Sequence, residues 1–233
     1  MINPNSIEEI DAYFENGWEK NGGPQQTLFF MQTLLNHLPK EIYQALSESH
    51  SIIDFGCATG EGVAILHAHF PNMRAIAGFD ISKVAIHKAV DKYGHLDREI
   101  HFKDTGKGIA VENGPEVDFF LDGFGGQDWD KVKVDDMTKL NAKVSLICSN
   151  VLEHFTNLEE KLLSLALHCN HVLAVMTPYK EVDRIPGHEI TITEDAFPKQ
   201  LHHMKHEFNC IIQLPPFNPY WAGEQILAVY LKG

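Results

Sequence analysis

The stretch that most constrains the fold is residues 52–62, which read IIDFGCATGEG. Apolar residues run into Asp54, glycines follow at positions 56, 60 and 62, and an apolar segment suited to an amphipathic helix begins behind them. This order predicts a strand, a glycine-rich turn and the start of a helix. Such a turn offers backbone N–H groups and the positive end of a helix to a ligand. Glycine suits it because a Cβ would hold the ligand away or forbid a positive φ.

Asp54 limits the kind of ligand that this turn can bind. It lies at the carboxyl end of the predicted strand, where a carboxylate repels a pyrophosphate and suits positive charge or hydroxyls. A dinucleotide fingerprint needs glycines at positions one, three and six. Counted from Gly56, these positions hold Ala58 and Glu61 instead, and no GK[S/T] of a P-loop follows. The pattern therefore excludes both of these phosphate-binding motifs.

A second acid follows at the distance expected of the next strand. The predicted strand at residues 75–79 ends at Asp80, which is 24 residues beyond Gly56. An acid at this place can accept both hydroxyls of a ribose. Ile81 would then supply an apolar surface for an adenine, and Ser82 can cap the helix behind it. The alternative for Asp80, an ordinary acid at the entry of a helix, stays open.

Two histidines are candidates for a catalytic base. The predicted fourth strand, VSLICSN, ends at Asn150 and continues as VLEHF. Ligands of an open α/β sheet bind outside the carboxyl ends of its strands, so we expect Asn150 and His154 to face the same crevice as Asp54. His154 can take a proton from a hydroxyl, or it can be a structural histidine beside the site. His188, on the polar loop after the predicted fifth strand at residues 171–176, is the second candidate.

Length and composition favour a single α/β domain over residues 1–233. Residues 1–48 hold leading helices that either cover a ligand pocket as a lid or simply pack on the sheet. The segment 93–130 is the least regular part of the chain. We interpret it as an insertion, or as an elaborated connection between the second and third strands.

Two motifs carry a resemblance to a known family. Residues 52–62 resemble motif I of class I S-adenosylmethionine (SAM) dependent methyltransferases, with Ala58 in place of the middle glycine, and SNVLEHF resembles the later segment of their small-molecule members. The resemblance implies a seven-stranded, mostly parallel sheet with helices on both faces and an antiparallel C-terminal strand pair. It also implies SAM as cofactor and S-adenosylhomocysteine as product. The cofactor-binding residues would be Asp54, Gly56, Cys57, Ala58, Gly60, Asp80, Ile81 and Asn150.

The same resemblance implies a further acid that reads the adenine. In this family an acid at the end of the third strand accepts the adenine amino group, and the next residue donates its backbone N–H to the ring. Asp136 and Met137 fit best, because they follow the alternating residues 132–134 and precede the fourth strand by a short loop. Asp104 is the alternative, if residues 99–103 form the third strand.

The acceptor is suggested only by likeness. NGGPQQTLFFMQTLLNHLP and GHEITITEDAFP look like segments of bacterial methyltransferases associated with surface-polysaccharide biosynthesis. We expect direct transfer of a methyl group to a small-molecule or glycan acceptor, at oxygen, with His154 or His188 as base. The rival from another class is a SAM-binding module without catalysis.

A second likeness concerns a metal. RNA 3′-end methyltransferases use Glu-x-x-Glu-His and a later His to hold a divalent ion, but here Asn150 stands in place of the first Glu. Losing a carboxylate weakens a site for a hard cation, so we expect no metal site.

Charge and composition limit which partners we expect the chain to bind and in which compartment we expect it. A net charge of −13 argues against nucleic acid, which needs a basic footprint. The four cysteines lack metal-type spacing, which favours reduced, mostly buried thiols. Without a leader or a long apolar run, we expect a soluble, cytoplasmic protein with no membrane span; a homodimer stays open.

Overall fold

The structure, a computed structural model, describes residues 5–71, 73–94, 102–104, 109–111, 119–121, 142–215, 217–221 and 223–233. Helices lie at both the start and the middle of the chain. They are α1 (Ile7–Asn16), α2 (Gly23–His37), α3 (Lys40–Ser47), α4 (Glu61–His69), α5 (Lys83–Tyr93) and α6 (Leu158–Leu167). No helix among these described residues is long and apolar enough to cross a membrane.

The strands of the described residues form one large sheet and one small hairpin. They are β1 (Ser51–Phe55), β2 (Ala75–Asp80), β3 (Phe102–Asp104), β4 (Ile109–Val111), β5 (Phe119–Leu121), β6 (Val144–Ser149), β7 (Val172–Tyr179), β8 (Gln200–Leu201), β9 (Met204–Gln213) and β10 (Glu224–Lys232). The large sheet has the order β5-β2-β1-β6-β7-β10-β9-β8, and β3 pairs with β4 alone.

The direction of the strands confirms the predicted fold class. The strands β5, β2, β1, β6 and β7 are parallel, whereas β10 runs antiparallel to both β7 and β9. The two-residue β8 extends the expected seven strands at the outer edge. The parallel strands therefore present their carboxyl ends at one edge of the sheet, where ligands of open α/β sheets bind.

Both faces of the sheet are covered, which explains the nearly continuous apolar strands. Successive residues of β1 pack on opposite faces of the sheet. Ile52 packs with Leu34 of α2 and Leu66 of α4, whereas Ile53 packs with Leu162 of α6. The helix α1 forms a smaller cluster through Phe14, which packs with α5 and the turn after β1.

The structure differs from the sequence prediction at the third strand. The strand that pairs with β2 is β5, where Leu121 is opposite Asp80 in parallel register. It lies inside the segment 93–130, which therefore holds a strand of the main sheet. Asp104 ends β3, which pairs with β4 in the separate hairpin, so the alternative in which this segment forms the third strand is wrong. The expected strand at 132–134, with Asp136 and Met137, lies outside the described residues.

The fifth parallel strand also extends beyond its predicted end. Thr177 and Pro178 lie within β7 and pair with β10. The neighbour on the other side, β6, reaches only as far as Met176 in this register. Proline is tolerated in a strand that has a partner on one side only, because its missing N–H leaves no ladder hydrogen bond unmade there.

Substitutions in α2 test whether this leading helix belongs to the core. Leu34 is fully buried, whereas Leu28 on the same helix is 39% exposed. We expect Leu34→Ala to lower the free energy of unfolding by about 2–5 kcal/mol, because it leaves a cavity between helix and sheet. Leu28→Ala should cost about 1 kcal/mol or less. Urea unfolding measures both, and equal small losses would show that α2 is not part of the core.

Candidate active site at the carboxyl edge of the sheet

The glycine-rich turn after β1 is fixed onto the end of β2. The backbone N–H groups of Gly56 and Cys57 both donate to the carbonyl oxygen of Phe79, at 2.8 and 2.9 Å. The N–H of Ala58 donates to Oδ2 of Asp80 at 2.9 Å. The turn is therefore held by strand ends that belong to the same edge of the sheet.

Glycine at position 56 is required by the fold itself. Its φ is +78°, and a Cβ there would lie 2.2 Å from Cγ2 of Val151, which follows β6. The sequence suggested that the glycine lets a ligand approach, and the structure adds this contact with the chain's own side chain. Ala58, which replaces the middle glycine of motif I, has a φ of +48° in the left-handed region that favours glycine.

Asp54 places a buried carboxylate behind the turn. Its side chain lies against Gly62, where a Cβ would be 2.3 Å from Oδ2, and this oxygen has no hydrogen-bond partner. Burial, followed by repulsion from Asp80 and Glu61, raises the pKa of Asp54 to about 7. A buried carboxylate without a partner is costly when charged, so the pocket favours a ligand with positive charge.

Asp80 is buried as well, but it is hydrogen-bonded. Its two oxygens accept from the N–H groups of Ala58 and Ser82, at 2.9 and 2.8 Å. Burial raises the pKa of Asp80 to about 6, although these N–H groups act to lower it. Each carboxylate oxygen has a second lone pair, so ribose hydroxyls can still donate to Asp80.

A third carboxylate, which the sequence did not indicate, forms hydrogen bonds that hold the turn. Glu61 opens α4 and is fully buried. It accepts from Oγ1 of Thr59 and from Nζ of Lys92, both at 2.6 Å. Trp18 of the leading segment donates from Nε1 to the same Thr59 oxygen at 2.9 Å. Glu61 gave no signal in the sequence because only the fold brings Lys92 beside it.

The two candidate histidines are neighbours. His154 lies in the short 3₁₀ helix Leu152–His154 after β6, and His188 lies in the loop after β7. Their ring centroids are 5.0 Å apart with the rings nearly perpendicular. Nδ1 of His154 lies 2.9 Å from the carbonyl oxygen of Gly187. The sequence presented these histidines as alternatives, whereas the structure brings them into one cluster.

His188 is held by groups that the sequence analysis missed. Its Nδ1 lies 2.6 Å from Oε2 of Glu181, and its ring stacks on Trp221 at 5.9 Å. Its Nε2 lies 4.0 Å from Oε1 of Glu153, whose other oxygen accepts from Oγ1 of Thr177 at 2.9 Å. No sequence spacing relates Glu181 or Trp221 to His188, because loops without regular structure join them.

The described residues also contain a group that could hold a metal ion. Glu153, His154 and His188 each offer one ligand atom, and these atoms lie within 4.8 Å of one another. Burial raises the pKa of Glu153, while the two histidines act to lower it. The sequence predicted no metal site at these residues, and this prediction can be tested at the cluster.

The remaining predicted site residues that the structure describes lie at the same edge. Asn150 follows β6 with a φ of +54°, and its N–H donates to the carbonyl oxygen of Met176 at 2.8 Å. Cys57 is fully buried within the turn, and burial raises the pKa of its thiol well above the ordinary value. Ile81 is half-buried directly after Asp80.

The leading segment contacts both parts of the site. Nδ2 of Asn5 donates to the carbonyl oxygen of Gly187 at 3.1 Å and to Oε1 of Glu189 at 2.9 Å. In α1, Oδ1 of Asp11 accepts from the N–H of Val84 at 3.3 Å. The chain before α2 therefore spans from the glycine-rich turn and α5 to the histidine loop.

Comparison with known proteins assigns this arrangement to a family. Residues 29–216 match the family described as Methyltransferase domain, and the chain belongs to this family. A search among curated proteins found no match.

Solved structures share the fold at low sequence identity. Magnesium protoporphyrin IX methyltransferase (ChlM) from Synechocystis PCC 6803 with bound SAH is 11% identical, with a TM-score of 0.60 over 97% of this chain and 99% of that chain. A SAM-dependent methyltransferase from Aquifex aeolicus is 12% identical, with a TM-score of 0.54 over all of both chains. A chain from the complex of the Haloferax volcanii Trm112 methyltransferase activator with a methyltransferase is 14% identical, with a TM-score of 0.61 over 96% of this chain and 97% of that chain.

The chain is therefore a class I SAM-dependent methyltransferase, and its residues fit this cofactor. SAM carries a sulfonium and an ammonium, and the pocket holds an unpartnered carboxylate oxygen at Asp54. It also carries a ribose, and Asp80 at the end of β2 is placed where a carboxylate can accept from ribose hydroxyls.

The raised pKa of Asp54 predicts a pH dependence of stability. Between pH 4 and 7 the folded chain keeps a proton that the unfolded chain has lost, so stability falls as the pH rises through this window. Asp54→Asn should remove much of this fall and stabilise the unliganded protein at pH 8 by roughly 2–4 kcal/mol. Urea unfolding at pH values from 4.5 to 8 measures the free energy of unfolding of both proteins. The control is Asp183→Asn, a substitution at an exposed position.

The same substitution should have the opposite effect on the cofactor. SAM affinity of the wild-type protein should rise from pH 6 to 8 as Asp54 ionises, and that of Asp54→Asn should stay low and flat. Calorimetric titration measures both. Equal affinities in the two proteins at pH 8 would contradict the role of Asp54 as the partner of a positive charge.

Proposed function

We propose that the chain methylates a hydroxyl group of a small-molecule or sugar acceptor. The observation that carries this proposal is the cluster of Glu153, His154 and His188 at the carboxyl edge, beside the turn that fits SAM. A hydroxyl is a poor nucleophile until its proton is removed, and groups of this kind at such an edge can remove it. A site for a nitrogen or sulfur acceptor would have less need of them.

The residues at the glycine-rich turn bind the cofactor and orient it. Asp54 pairs with positive charge of the bound cofactor, and Asp80 accepts from the ribose hydroxyls. The turn residues Gly56 and Gly60 keep the backbone conformation that allows both. Asp136 and Met137 remain our proposal for the contact with the adenine.

The transfer itself is a single displacement. When bound, SAM supplies an electrophilic methyl group on a sulfonium. The acceptor oxygen attacks the methyl carbon in line, the C–O bond forms as the C–S bond breaks, and the sulfur keeps the electron pair. The hydroxyl proton leaves at the histidine cluster. Holding donor and acceptor in line contributes most of the acceleration, up to about 7–11 kcal/mol.

Trp221 supports a polar acceptor with a flat or apolar face. Its ring stacks on His188, so one aromatic surface borders the cluster. The likeness to enzymes of surface-polysaccharide biosynthesis also favours a sugar.

Charge argues against the RNA alternative. The chain has 32 acidic and 19 basic residues. A protein that binds an RNA acceptor needs basic side chains to contact the phosphate backbone of the RNA. We propose that the leading helices act as a lid instead of an RNA-binding surface, because Asn5 and Trp18 contact the histidine loop and the cofactor turn.

A transfer assay tests the proposal. The protein is incubated with methyl-labelled SAM and a panel of free sugars, nucleotide-linked sugars, phenols and an RNA with a free 3′ end, and mass spectrometry identifies the labelled atom. We expect an O-methylated small molecule. Label on nitrogen, sulfur or RNA, or none on any acceptor, would contradict the proposal.

His188→Ala should separate catalysis from cofactor binding. We expect the transfer rate to fall by about 10²–10⁴, because the group that activates the hydroxyl is lost. SAM affinity should stay within a few-fold, because Asp54 and Asp80 are intact. The control is His87→Ala, at an exposed position of α5. A loss of SAM affinity that equals the loss of rate would make His188 a support of the cofactor pocket.

A further inference from the structure

Three side chains from two separate segments converge at the histidine cluster. Glu153 and His154 come from the 3₁₀ helix after β6, and His188 comes from the loop after β7. The side chains of Glu153 and His188 are 2% and 5% exposed, whereas His154 is exposed. The cluster is therefore buried on one side and open to solvent on the other.

The tautomers of both histidines follow from their partners. Nδ1 of His188 faces Oε2 of Glu181 at 2.6 Å, and Nδ1 of His154 faces the carbonyl oxygen of Gly187 at 2.9 Å. Both partners are acceptors, so each Nδ1 carries the proton. In the neutral rings the lone pair is then on Nε2. Metal-binding histidines are held in this way, with the second ring nitrogen donating to a carboxylate or a backbone carbonyl.

Glu153 completes a set of three donors. Its Oε2 accepts from Thr177, which fixes the carboxylate, and its Oε1 is 4.0 Å from Nε2 of His188. That distance is too long for a hydrogen bond. The two buried groups therefore face each other without a hydrogen bond between them. An ion between them would satisfy the carboxylate and the lone pair together.

We propose that Glu153, His154 and His188 bind a divalent first-row transition-metal ion. Two imidazoles and one carboxylate favour Zn²⁺, Co²⁺ or Mn²⁺ over Mg²⁺ and Ca²⁺, which prefer oxygen ligands. The ligand atoms lie within 4.8 Å of one another. Tetrahedral bonds of ~2.1 Å require separations of about 3.4 Å, so the three side chains would move closer together around the ion.

The ion gives the cluster a defined role in the proposed methyl transfer, on which this part of the inference rests. Three protein ligands leave a coordination position for the acceptor hydroxyl. Coordination lowers the pKa of the hydroxyl, whose proton passes to solvent on the open side. The resulting oxygen nucleophile forms the C–O bond as the C–S bond breaks. Glu181 acts as a positioning residue, because it fixes the tautomer of His188.

Metal binding can be measured without any acceptor. The full chain is stripped with EDTA and titrated calorimetrically with Zn²⁺, Co²⁺, Mn²⁺ and Mg²⁺, and Co²⁺ absorption reports imidazole ligation. We expect one site per chain, with Mg²⁺ at least tenfold weaker than Co²⁺. Glu153→Gln and His154→Ala should each lower Co²⁺ affinity at least tenfold. Glu181→Gln should lower it about 10–100-fold, as loss of an orienting partner does.

Another pair of histidines supplies the matched control. The Nδ1 atoms of His202 and His203 are 2.5 Å apart on the surface, so they could bind the ion adventitiously. His203→Ala should leave Co²⁺ affinity unchanged. Thermal melting and SAM titration of every variant report whether it is folded.

The outcomes separate the metal site from the proposed function. Unchanged Co²⁺ affinity in both Glu153→Gln and His154→Ala, loss of binding in His203→Ala, or no binding at all would overturn the metal site. If the ion does not bind and His188→Ala still abolishes O-methylation, the proposed function stands without a metal. If the ion binds as expected and no acceptor is methylated, the metal site stands and the proposed function fails.

Discussion

The carboxyl edge of the sheet is organised around three buried carboxylates at one glycine-rich turn. Asp54, Glu61 and Asp80 lie within the same short region, and each is removed from solvent. Glu61 has Lys92 as its partner, and Asp80 has two backbone N–H groups. Asp54 has an oxygen with no partner. The region around the turn therefore holds one buried carboxylate oxygen without a partner, and a positively charged group can stabilise it.

The turn and the histidine cluster are physically linked. Val151 fills the space that a side chain at Gly56 would occupy, and it comes directly before the 3₁₀ helix of Glu153 and His154. The end of β1 and the end of β6 therefore fix each other. The leading segment adds a second connection, since Asn5 contacts the histidine loop and Trp18 contacts the turn. The carboxylates of the turn and the histidine cluster are therefore placed at neighbouring strand ends of one sheet.

Much of this site could be predicted from local sequence. The strand, turn and helix around Gly56 have a pattern that few other structures share, and the spacing to Asp80 reflects one helix and one strand. The long apolar runs of β6 and β7 indicated that these strands lie at the centre of the sheet. These features depend on short-range order along the chain, which periodicity and glycine positions report.

The rest depends on contacts that sequence spacing does not encode. The strand β5 is three residues long, and the equally short alternating segment at 132–134 was preferred because acids follow it and a short loop joins it to the next strand. Glu181 and Trp221 reach His188 from irregular loops, so no periodicity relates them. The unexpected length of β7 follows from its partner β10, which extends pairing through Pro178. In each case the structure was determined by contacts between distant parts of the chain, which the local sequence pattern does not report.

A crystal structure with S-adenosylhomocysteine would show whether one sheet edge brings the buried carboxylates and the histidine cluster to the two sides of the reacting sulfur. We expect the ammonium of the product near Asp54, its ribose hydroxyls on Asp80, and its sulfur facing the cluster of Glu153, His154 and His188. A product bound with its sulfur turned away from that cluster, or with its ribose off Asp80, would contradict this expectation.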